Sequence, residues 1–331
     1  ASNANATIKG IQRQNIDNVT FEKMIPNSIY DHVSNKITDT TKAWDVSAQG
    51  DESIVAWFVD SETKNGAYKI HIANNTAKTI NEDISNSEVF GNMNSSSLFR
   101  HIGESEKCTS KETITNLNLL NTSSVTDMHW MFHKTGYNAM ETLNLGNFDT
   151  SNVTQMGVMF AGTGYNAMTT LNLGNKFNTS KVTAMDYMFN NTGYMKMTDL
   201  ILGGEFNTNK VKLMQYMFCK TGHEVMVSLD LGGQFNTILV ENMSHMFEET
   251  GYTLMETLNL GGQFNTSNVT EMVAMFKNCG QKMSGLNLGK EFNTIKVTNM
   301  NEMFYCVGFK NLQSLDLGEK FYTKNVKYMW G

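Results

Sequence analysis

The chain has 331 residues, 40% of them hydrophobic, with a formal net charge of −6 and a pI near 5.7. That is enough apolar material for a core, and the acidic balance argues against nucleic acid, whose phosphates need a basic footprint. No apolar run reaches the roughly 18 residues of a membrane span, so membrane insertion by this segment is not expected, and Ala1-Ser2-Asn3-Ala4 opens no signal-peptide pattern.

Residues 1–25 are polar and are expected to form a linker or loosely held arm. The next region, 26–110, has no internal period. Ser53-Ile54-Val55-Ala56-Trp57-Phe58-Val59 and Tyr68-Lys69-Ile70-His71-Ile72 read as two strands. Glu62-Thr63-Lys64-Asn65-Gly66 between them supplies turn chemistry, so a hairpin is expected. This region is expected to cap the array that follows, because an open end must hide its core and block edge pairing.

From residue 111 onward the chain repeats. Met-Phe recurs from Met131-Phe132 to Met303-Phe304 at intervals of 28 or 29 residues. A Leu-x-Leu-Gly series keeps step with it, from Leu143-x-Leu145-Gly146 to Leu315-x-Leu317-Gly318, with an irregular copy at Leu117-x-Leu119. Leu-x-Leu has the two-residue period of a strand, and Phe177, Phe206, Phe235 and Phe264 are expected to point inward from the loop after it. V-x-x-M-x-x-M-F has apolar spacing that fits a helix, with a Ser or Asn before the Val as its cap. Thr-Gly-Tyr then reverses the chain. The expected fold is an α/β repeat, a right-handed leucine-rich-repeat-like solenoid with one short parallel strand and one short helix per turn. It has eight turns over 111–331, the last incomplete, behind the N-terminal capping region. The 24 methionines are read as pliable core filling. The last turn ends without a polar cap at Tyr328-Met329-Trp330-Gly331, so a natural chain that continues past Gly331 is expected, with this chain a monomer; the alternative is an end-to-end dimer in which two copies cap one another.

Over residues 42–331 the sequence resembles the BspA-like leucine-rich repeats of bacterial surface proteins, known also from mycoplasma-type surface lipoproteins. The resemblance is carried by Asn265-Thr266-Ser267-Asn268-Val269-Thr270-Glu271-Met272 followed by Met275-Phe276, by the Leu-x-Leu-Gly series, and by Lys42 to Ser47 and Ser53 to Val59 ahead of the repeats. It implies an extracellular protein of the bacterial cell surface that adheres to a host or bacterial surface protein or glycan. The repeat units here carry a few extra residues around Gly-Tyr and Gly-Gly-x-Phe.

Candidate ligand-binding residues are those that break or decorate the repeat. Ile201, Val227, Ile238 and Leu239 place apolar side chains where other units have polar ones, and Asp230 lies on the same strand face. Tyr165, Tyr194 and Tyr252 belong to a row with Tyr137, His223 and Phe309 that could stack sugars or seal the Gly turn structurally. His101, His129 and His133 could hold a metal but lack an acidic or cysteine motif, so the plainer reading is no metal. Cys279 and Cys306 fall in adjacent turns, where either a disulfide or free thiols are open readings. No catalytic motif and no cofactor signature is present, so no enzyme is expected. Two functions remain: an adhesive surface-binding module, and a structural or antigenic spacer without a specific ligand.

Overall fold

The computed structural model of the chain describes residues 7–331 except 48–49, 60–61, 63–64, 76–87 and 147. Two small hairpins, β1 (Thr7–Ile8) with β2 (Ile11–Gln12) and β4 (Tyr30–Asp31) with β5 (Lys36–Ile37), flank β3 (Ile16–Glu22). β3 joins β6 (Ala43–Asp45), β7 (Ile54–Trp57), β8 (Tyr68–Asn74) and β10 (Ile114–Thr115) in a sheet ordered β10-β3-β8-β7-β6. β7 and β8 pair antiparallel, Ala56 opposite Ile72; Thr63 and Lys64 of the turn expected between them lie outside the described residues. Alternation sorts the faces. Ile16, Val19, Phe21, Ala56 and Ile70 join a core that continues through the repeats, whereas Val55, Trp57 and Ala73 pack on Ile25, Ile29, Tyr30 and Ala43.

For residues 7–25 this corrects the reading of a linker or loosely held arm; residues 1–6 lie outside the described residues. β3 pairs in parallel with both β8 and β10, partners about fifty and ninety-five residues away, so its place is set by contacts no local window reveals.

The repeats stack as coils. After β9 (Val89–Phe90) and β11 (Leu120–Asn121), which pair in parallel, Leu-x-Leu builds β12 (Thr142–Asn144), β13 (Thr170–Asn172), β14 (Asp199–Ile201), β15 (Ser228–Asp230), β16 (Thr257–Asn259), β17 (Gly285–Asn287) and β18 (Ser314–Asp316). Pairs are parallel and in register, Leu143 against Leu171 and Leu171 against Leu200. The ladder is interrupted between β14 and β15 and between β16 and β17. Leu117–Leu119 forms a 3-10 turn instead of a strand, after Asn116 in the left-handed region.

The expected helix is absent, and with it the α/β leucine-rich-repeat class. Among the described residues the chain has no α-helix, only strands, turns, bends and two 3-10 turns. In a helix each amide would bond four residues back. Here alternate amides leave the coil. Met185, Tyr187, Phe189 and Asn191 donate to Leu213, Gln215, Met217 and Cys219 of the next coil, while Met188, Asn190 and Thr192 close three-residue turns onto Met185, Tyr187 and Phe189. Tyr187 and Asn191 each adopt φ 57°, which a right-handed helix excludes. The Ser or Asn read as a helix cap caps nothing helical. The Asn before it closes a local turn instead, Asn178 Oδ1 accepting from the Ser180 amide at 2.9 Å. A second parallel ladder, one residue per coil, runs unbroken on this side from Asn94 through Asp127, Gln155, Ala184, Leu213, Asn242, Glu271 and Asn299 to Tyr328.

Inside, like sits on like. Phe132, Phe160, Phe189 and Phe218 stack face to face at 5.4–5.6 Å, and Phe206, Phe235, Phe264 and Phe292 follow at 6.3–6.4 Å. The Val and Met positions of each coil fill the space between. Buried Thr163, Thr192, Thr221 and Thr250 donate their hydroxyls, at 2.6–2.8 Å, to the carbonyls of Phe132, Phe160, Phe189 and Phe218 in the preceding coil.

Candidate functional site

Along the interior of the stack most outward positions are polar. Between residues 99 and 304 the large hydrophobic side chains left exposed, among those described, are Met195, Ile201, Leu213, Val227 and Leu239, each more than two-fifths accessible. All belong to coil 4 (197–225), coil 5 (226–254) or the corner leading into coil 4. Ile201 ends β14 and Val227 immediately precedes β15, so the two flank the interruption in the strand ladder. Leu213 is the coil 4 residue of the second ladder, and Leu239 lies at the corner after Phe235.

The strand face shows what Ile201 displaces. At the same position of other coils Asn144, Asn172, Asp230, Asn259 and Asn287 accept the amide of the Gly two residues on, at 2.8–3.0 Å. Ile201 cannot do this for Gly203. Asp230 also accepts from Asn259 Nδ2 at 3.1 Å, so this expected ligand contact is tied into the coil's own turn. Ile238 is half-buried and its amide is held by Asn236 Oδ1 at 2.9 Å. The structure thus gathers Ile201 and Val227 on the strand side and places Ile238 and Leu239 at a different corner. Met195 was not singled out from the sequence, although Asn138, Asn166, Glu224 and Thr253 at its position are polar, which was the available signal.

The tyrosine row is a closed stack. Tyr137, Tyr165, Tyr194, His223 and Tyr252 lie ring on ring at 4.3–4.9 Å. Lys134 Nζ covers the outer end, 5.7 Å from the Tyr137 centroid, and Gln281 takes the place after Tyr252. Ring faces needed to stack a sugar are therefore occupied, which counts against Tyr165, Tyr194 and Tyr252 as a sugar platform. Burial raises the Tyr165 and Tyr194 hydroxyls above their ordinary range. Phe309, expected in the row, stands exposed outside it.

Charged groups meet in local networks. His223 is nearly buried between Glu224 (2.8 Å) and Glu249 (3.4 Å). Near the first coils, His101 and Lys134 bond Glu104 at 2.5 and 2.9 Å; burial opposes its charge, but these bonds outweigh it and hold the carboxyl at about 2. Arg100 stacks on Trp130 at 3.9 Å and donates to His133 Nδ1 at 3.3 Å; burial first and that cation second hold His133 down at about 3. Among the described residues no group of three or more His, Cys, Asp or Glu is placed to hold a metal ion. Cys279 and Cys306 are free thiols, not a disulfide, and burial pushes Cys279 up to about 12.

A family model described as Mycoplasma protein of unknown function, DUF285, matches residues 104–225, 163–287 and 226–330. The three overlapping stretches each span several coils. Searches of curated proteins and of solved structures find no match.

Proposed function

The chain belongs to the family of Mycoplasma proteins of unknown function, DUF285, and from that premise we propose that it is a cell-surface recognition module. The outer side of its coils adheres to a protein or glycan of a host or neighbouring cell. The observation that carries this reading is the concentration of exposed apolar side chains in coils 4 and 5, at the interruption beside Ile201 and Val227. A pure spacer has no use for it, whereas an exposed apolar patch rimmed by polar groups, desolvated on binding, is the usual centre of a protein contact. The patch favours a protein over a glycan, since the aromatic faces are already filled. The resemblance to BspA-like surface repeats supports the same reading and an extracellular location.

The test is capture of host matrix and cell-surface proteins by the chain and by Ile201→Asp/Val227→Asp. Both side chains are surface-placed, so the melting temperature should hold within about 2 °C, consistent with surface substitutions. Capture should fall at least tenfold. Equal capture by the double variant overturns the patch, and absence of any capture favours the antigenic spacer.

A further inference from the structure

A second feature lies at the other end of the molecule, away from the coil surface and independent of its role. Between the N-terminal sheet and the stretch of chain ahead of the first coil is a cleft of about 820 Å³. One wall is the sheet face that bears Ile16, Val19, Phe21, Ala56, Ile70 and Ile72. The other is the chain from Val89 to Ile102, with Phe99 and Ile102 deepest. We propose that this cleft is a binding site for the acyl chain of a lipid.

The shape follows from register. Phe21, Ile72, Ala56 and Trp44 form one row across four strands, and at the far end only Ile16 of β3 contributes, followed by Arg13 of the 3-10 turn ahead of it. Strand spacing makes the row about 14 Å wide, and Ile16 to Phe21 spans about 17 Å. A volume of about 820 Å³ spread over that tapering area makes a slot much wider than it is thick. The slot admits one layer of apolar chain and no folded partner.

The slot is braced open. At the narrow end Arg13 donates to the carbonyls of Ser97, Leu98 and Arg100, and the Gly103 amide donates to the Ile16 carbonyl at 2.7 Å. At the wide end Asn74 Nδ2 donates to the Glu88 carbonyl at 2.7 Å. The walls cannot close on each other without breaking these bonds. Across the middle of the sheet wall water is a poor filling, because an ordered water needs two to four polar partners and Val19, Phe21, Ala56, Ile70 and Ile72 offer none. Polar groups lie at its margins, with Arg13 at the narrow end, Ser53, Asn74 and Ser95 also in the lining, and Asn92 and Asn94 exposed at the mouth beside exposed Val46, Phe90 and Leu98. Apolar depth with a mixed rim suits an amphiphile whose tail enters and whose head stays in water.

The full chain is titrated with cis-parinaric acid, whose fluorescence rises in an apolar site. Saturable binding at one per chain is expected. Ala56→Phe fills the slot and should weaken binding at least tenfold, as should Leu98→Glu, which charges the mouth. Thermal melting verifies that each variant folds; if Ala56→Phe does not, Leu98→Glu alone decides. Displacement of the probe by palmitate identifies free fatty acid as the source, and displacement only by lysophosphatidylcholine identifies a phospholipid tail. Absence of saturable binding, undiminished binding in the folded variants, or displacement by a sterol but by neither acyl compound overturns the assignment. None of these results touches the capture experiment on coils 4 and 5.

Discussion

At the scale of single residues, the buried threonine row shows how one side chain stitches two coils. Cys279 occupies the next step of that row, twenty-nine residues after Thr250, and brings a thiol where the others bring a hydroxyl. Cys279→Thr should restore the donor to the Phe247 carbonyl and raise stability by up to about 1 kcal/mol, read by denaturant melting. A loss instead would mean that the thiol's packing outweighs the bond. The His133 site makes a second prediction. Its folded pKa, about 3, lies below the ordinary 6.5, so the unfolded chain takes up a proton that the folded chain refuses. The stability it contributes is present above pH 6.5 and drains away as pH falls toward 3. Glu104, held at about 2 against 4.5, adds a loss at lower pH still, from about 4.5 downward. His133→Gln keeps an acceptor for Arg100 but cannot titrate. Between pH 7 and pH 5 wild type should therefore lose on the order of 1–2 kcal/mol more than the variant. Parallel curves would show that His133 is not the acid-sensitive group.

At the scale of the element, the strands were legible and the turns in place of the expected helix were not, for different reasons. Leu200 and Leu229 turn inward because a strand alternates, and alternation is visible in three residues. V-x-x-M-x-x-M-F fits a helix and a run of three-residue turns equally well. What decides between them is hydrogen bonding to a coil twenty-nine residues on. The left-handed positions give no warning either, since Trp130, Val158, Tyr187 and Tyr216 occupy one of them and none is glycine. The corner glycine is the exception. Gly193 has φ 53°, and a Cβ there would lie 2.3 Å from Met197 Cβ, whereas a Cβ on Gly204 would meet nothing within 4 Å. Gly193→Ala should cost more than about 2 kcal/mol, by strain and overpacking together, and Gly204→Ala should stay within about 0.5 kcal/mol. Equal melting shifts would contradict the corner geometry.

At the scale of the whole molecule, the departure of coils 4 and 5 from the repeat was legible because a period makes any exception visible. Its geometry was not, as Ile201 and Val227 proved to flank a break in the ladder while Leu239 lies at another corner. The cleft left no trace in the sequence, because β3, β7, β8 and residues 89–102 bring its walls from separate parts of the chain. The unbroken second ladder has a mechanical consequence. Its bonds join each coil only to the coils above and below, so a pull on the two ends loads the rows one after another rather than all at once. Each coil that peels away releases 28 or 29 residues, about 95 Å of slack. In an optical trap the chain should lengthen in a train of near-equal steps of that size, and a single abrupt opening of the repeats would refute it. An array built this way yields under tension by paying out length while the remaining coils stay folded, like a rope uncoiled loop by loop.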